Sequence, residues 1–63
     1  MSNERREMYR KLSNDAAQWE RAGEYARAYS GWLKACLATE NSDEHNWCSA
    51  RAQHCNKMAK NQH

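Results

Sequence analysis

The sequence predicts an all-α protein of three helices, a helical hairpin followed by a third helix. Three observations predict it. Proline is absent, glycine occurs only twice, and Thr39 is the one β-branched residue. Such a composition removes the usual strand formers and leaves few points where a helix must stop. Apolar residues recur at steps of three and four, the spacing that lines one side of a helix.

The first helix is expected over about 4–22, where Met8, Leu12, Ala16, Trp19 and Gly23 form a single stripe. Ser2 or Asn3 can cap its start, and Glu4 and Glu7 suit the positive end of the helix dipole. Gly23 can close it in a left-handed conformation, which makes the following turn short.

The second helix, expected over about 24–39, has more apolar surface than one neighbour can cover. At about 100° per residue, Tyr25, Ala28, Tyr29, Trp32, Ala35 and Cys36 share an arc that Ala26, Leu33 and Leu37 extend sideways. This helix therefore needs packing partners on two sides. Tyr25, Ala28, Trp32 and Cys36 are expected to close the hairpin, leaving Tyr29, Leu33 and Leu37 for another chain. Gly31 falls on the polar side, where it should cost about 1 kcal/mol relative to alanine without an evident packing reason.

Residues Glu40 to Glu44 are polar and rich in capping types, with Asn41 or Ser42 available as the cap. The third helix is then expected over about 43–60. Its stripe collects Trp47, Cys48, Cys55, Met58 and Ala59, with Ala52 and His54 at its edges and Arg51 in its middle.

With 63 residues the chain forms a single helical domain, 1–63. A domain this small hides only about 60% of the surface of its unfolded form and needs dense aromatic packing or self-association for stability. Trp19, Trp32 and Trp47 are read as core, and a homodimer is expected. Three cysteines are an odd number, and the charged start lacks a signal-peptide pattern. A reducing, cytoplasmic location without a membrane segment follows as an expectation.

The net charge of +2 is mild, and the cluster Arg5, Arg6, Arg10 and Lys11 is interrupted by Glu7. Interspersed signs fit a solvated helix face, with direct DNA contact as the competing reading. His45, Cys48, Cys55, His54 and Cys36 are zinc-compatible types, but without a Cys-x-x-Cys or His-x-x-x-His pair they read more simply as small buried hydrophobes and surface histidines. No metal, cofactor or enzymatic activity is expected: glycine-rich phosphate loops are missing and no nucleophile–base arrangement stands out. Arg51 stands out. It either snorkels to the surface or is buried at an interface, paired with Glu20 of the first helix and stacked on an aromatic ring.

The run Gly23-Glu24-Tyr25-x-x-Ala28-x-x-x-Trp32-x-x-Ala35 looks like one tetratricopeptide helical hairpin. Followed by Asn46-Trp47-Cys48-x-x-Arg51-Ala52-x-x-Cys55, it resembles the ANR family, small bacterial proteins named as AraC negative regulators. The resemblance spans about Tyr9 to Cys55 and carries Trp19, Glu20, Gly23, Tyr25, Ala28, Trp32, Trp47, Arg51 and Cys55. It implies a repressor of virulence or colonisation genes that acts by binding an AraC-type transcription activator, with nucleoid proteins as further partners. Tyr29, Leu33, Leu37, Trp47 and Arg51 are the expected partner or dimer contacts. Regulators of the PerC type share the Trp and Arg-Cys pattern and are read as activators, so an activating or DNA-binding regulator using the basic first helix is the alternative.

Overall fold

The computed structural model describes residues 3–61, and these form three helices: α1 (Asn3–Arg21), α2 (Tyr25–Ala38) and α3 (Ser42–Lys60). The bounds lie within one residue of those expected at each end. The expected caps, Ser2 and the Asn3 side chain, lie outside the described residues. None of the helices is long and apolar enough to cross a membrane.

Gly23 ends α1 as expected, at φ +82°, where a side chain would be strained. The Glu24 N–H donates to the Trp19 carbonyl and the Gly23 N–H to the Glu20 carbonyl, at 2.8 and 3.1 Å. These two bonds are a Schellman closure, and they bring the chain straight into α2. Asn41 is the cap of α3: its side-chain oxygen accepts the Glu44 N–H at 3.0 Å. Asp43 and Glu44 occupy the first turn and Lys57 and Lys60 the last, matching the helix dipole at both ends.

The wide apolar arc of α2 finds both neighbours inside the chain. α2 packs along α1 and along α3, whereas α1 and α3 meet each other only slightly. The core between them is made of small side chains: Ala16, Ala28, Ala35, Cys36, Cys48, Ala52 and Cys55, with Trp32 as its one large member. Tyr9, Leu12, Trp19 and Tyr25 pack half-buried around it.

Four expectations about faces are corrected. Gly31 does not face solvent; it is buried, and a Cβ built there would lie 3.0 Å from the Ala16 Cβ and 3.3 Å from both the Ala16 Cα and the Trp19 ring. α1 and α2 approach closely at this glycine, which is its packing reason. Met8, placed in the inward stripe, is 57% exposed, beside Leu37 and Ala38 at the end of α2. Trp47, read as core, is 55% exposed. Tyr29, assigned to the outward group, is half-buried against the core. In each case the position on its own helix was legible, but the direction of the neighbouring helix was not.

Cys36 also serves a different joint from the one expected. Its thiol donates to the His45 carbonyl at 3.7 Å, and its own carbonyl lies 3.4 Å from His45 Nδ1. It therefore secures α2 to α3 rather than closing the α1–α2 hairpin.

Candidate functional site

Residues named separately in the sequence meet at one place on the structure. From α1, Glu20 reaches between the other two helices and uses both carboxylate oxygens. Its Oε1 accepts the Trp32 indole N–H at 3.1 Å, and its Oε2 pairs with the Arg51 guanidinium. Arg51 in turn lies over the Trp47 ring, 5.7 Å from its centroid, and the Trp47 and Trp32 rings meet edge to face at 6.5 Å and 88°. Glu20, Trp32, Trp47 and Arg51 thus close a ring of contacts that includes a residue from every helix. The expected pairing of Arg51 with Glu20, stacked on an aromatic, is present.

The chemistry of this ring is that of a clamp. The Glu20 side chain is 15% exposed and that of Arg51 31%, so the pair is neither solvated nor fully desolvated. A charge pair in that setting fixes geometry more than it adds stability. What it fixes is Trp47, a large amphipathic ring held on two sides with more than half its surface still open. Such an aromatic beside an arginine is the composition of an interface anchor.

The other expected contact residues lie elsewhere. Leu37 is 83% exposed and lines a shallow apolar groove with Met8, Leu12, Lys34 and Ala38. Leu37 stands five positions after Trp32, which turns it roughly 140° away around the α2 axis. Leu33, 41% exposed, sits between the two directions. The structure thus divides the expected contact set into an apolar groove around Leu37 and a clamp around Trp47 and Arg51, with Tyr29 half-buried against the core. The Met8 contribution to the groove was missed in the sequence because its spacing is that of a core residue.

The cysteines are free thiols, all buried. Burial first, and the neighbouring Cys48 second, push Cys36 up to about 11. Burial likewise raises Cys55, against the opposing charge of Arg51. The Cys48 thiol donates to the Tyr9 hydroxyl at 3.5 Å, and burial followed by this bond holds the Tyr9 phenol above its ordinary range. Cys36 and Cys55, held neutral by burial, are poor nucleophiles and act as packing groups. Among the described residues no group of three or more His, Cys, Asp or Glu side chains is placed to hold a metal ion.

A polar cavity of about 200 Å³ opens where the start of α1 meets the α2–α3 turn, between Arg5, Arg6, Tyr9, Thr39, Glu40 and Glu44. Arg5 is paired across it with Glu40, and the Thr39 hydroxyl donates to Glu44 at 2.5 Å. Its charges are largely matched from within, as in a helix-to-loop tether.

Comparison with protein-family models, with curated proteins and with solved structures finds no match to this chain.

Proposed function

We propose that this chain is a non-enzymatic regulator that binds an AraC-type transcription activator and lowers its activity. The observation that carries the reading is the clamp: the residues behind the ANR resemblance, Glu20, Trp32, Trp47 and Arg51, converge on one half-open aromatic anchor. Residues of a purely structural motif would be expected to vanish into the core, and Trp47 does not. Binding to the activator's dimerisation or linker surface would prevent productive DNA binding. The hairpin of α1 and α2 is in this reading tetratricopeptide-like, and the Met8–Leu12–Leu37 groove is the surface for a second copy of the chain, with Leu33 at its margin.

The test is co-purification with a candidate AraC-type activator, comparing the wild type with Trp47→Ala and Leu37→Asp, with helicity followed by circular dichroism. Trp47→Ala should abolish capture while helicity is retained. Leu37→Asp should change the oligomeric state and leave capture by the remaining monomer measurable. Undiminished capture by Trp47→Ala would remove the anchor from the interface. Gel-shift binding to promoters by the chain alone, falling steeply with salt, would favour direct DNA contact instead.

A further inference from the structure

The basic residues of α1 are not scattered around it. Around the helix axis Arg6, Arg10 and Arg21 fall within an arc of about 60°. Glu4, Glu7, Lys11 and Asp15 all lie outside that arc. Its position is fixed by its neighbours: Tyr9 and Glu20, which border it, are the α1 side chains that reach Cys48 and Arg51 of α3. Met8 and Leu12, on the opposite side, face the Leu37 groove instead. The arginine flank of α1 is therefore on the same side of the molecule as the clamp.

On α3 the matching flank carries Trp47, Arg51, His54 and Met58, again within an arc of about 60°. Arg6, Arg10, Arg21, Trp47 and His54 are exposed. Among the described residues no hydrogen bond or ion pair engages the side chains of Arg6, Arg10 or Arg21, whereas Arg5, about 100° around the helix from Arg6, is paired with Glu40. Of the carboxylates bordering this side, Glu20 is used by Arg51 and Trp32 and Glu44 by Thr39, while Glu7 lies about 40° outside the α1 arc. Asp43 stands at its margin, at the start of α3. Every lysine of the described helices lies off this side, so its fixed cations are all guanidinium groups, which suit bidentate recognition of carboxylates.

We infer that the flank formed by Arg6, Arg10 and Arg21 of α1 with Trp47 and Arg51 of α3 docks an acidic, amphipathic protein segment. The segment's apolar stripe covers Trp47, and its carboxylates reach the arginines. Arg6 to Arg21 spans about 22 Å along α1, the length of about four helical turns of a partner. A protein segment is favoured over nucleic acid on two grounds. The net charge is only +2, and Trp47 is the one exposed aromatic on this side, with Arg51 over its ring. Single-stranded nucleic acid is ordinarily held by several stacking rings along a charged track. The inference rests on the partner being a protein, and it adds the chemistry that the partner must present.

The experiment uses the full chain and fluorescence anisotropy with three labelled probes. These are a helical peptide with glutamates flanking a leucine stripe, the same peptide with lysines in place of the glutamates, and a short single-stranded DNA. The glutamate peptide should bind, and the lysine peptide should not. Arg10→Gln combined with Arg21→Gln should weaken binding about fivefold, as expected for two exposed charge pairs. Lys11→Gln combined with Lys60→Gln, off the docking flank, should leave it within about twofold, since exposed charges there have no pair to lose. Equal binding of both peptides, an equal loss in the lysine variants, or tighter binding of the DNA would overturn the proposal. Capture of an AraC-type activator that ignores Arg10→Gln and Arg21→Gln would keep the regulatory reading and sink this surface. Arginine-dependent binding of the glutamate peptide, without capture of any such activator, would keep the surface and sink the named partner.

Discussion

Replacing Glu20 by glutamine should destabilise the fold by about 2 kcal/mol, a value set between two limits. Breaking a fully buried ion pair leaves an orphaned charge and costs about 3–5 kcal/mol, whereas an exposed pair is worth about 0–1 kcal/mol. With the Glu20 side chain 15% exposed and that of Arg51 31%, the pair lies between these limits. Glutamine still offers an oxygen to the Trp32 indole N–H, so the substitution isolates the charge. Alanine removes that acceptor too, and should cost about 1 kcal/mol more for the orphaned indole donor. In a domain of this size 2 kcal/mol lowers the melting temperature by about 8–16 °C. The assay is urea unfolding followed by far-UV circular dichroism, carried through a double-mutant cycle with Arg51→Met. The coupling should be about 1–2 kcal/mol, because each substitution alone strands the other partner. If the two changes simply add, to within about 0.3 kcal/mol, the pair is a surface contact and the clamp does not exist as described.

Two further outcomes follow from the packing. Gly31→Ala gains about 1 kcal/mol of helix propensity but forces a methyl to 3.3 Å from the Ala16 backbone, so it should lower the melting temperature. A higher melting temperature would mean that α1 and α2 are not in close approach there, and Ala16→Gly should partly rescue the variant. Stability should also fall at alkaline pH. Cys36 is raised from 9.0 to about 11 in the fold, so its contribution is complete below pH 9.0 and is lost as pH rises towards 11. The unfolded chain ionises first over that window, which bounds the loss at about 2–3 kcal/mol. Thermal melts of the wild type and Cys36→Ala across that range should converge; parallel curves would show that the thiol ionises as readily folded as unfolded.

The elements and their ends were legible because they depend on local chemistry. The absence of proline and of β-branched residues other than Thr39 leaves helix as the default, while Gly23 and the turn at 39–41 interrupt it. The Glu20–Arg51 pair was legible for a related reason. An arginine inside an apolar stripe must find a carboxylate and a ring or leave the stripe, and Glu20 borders the matching edge of α1.

What the sequence by itself determined is therefore the number of helices, the Gly23 closure of α1 and the polar cap of α3, and which residues share a side of each. Only the tertiary structure decided what those sides face. A helical wheel gives angles about one axis, but the identity of the core depends on where two other axes lie. α1 and α3 both lean on α2 through alanine, glycine and cysteine, closely enough to bury Gly31, and Trp32 is the one large member of that core while Trp47 and Met8 stay mostly exposed. Close approach between small residues is a property of pairs of helices, which is why residues that look like core in one dimension become an exposed ring and the edge of a groove in three.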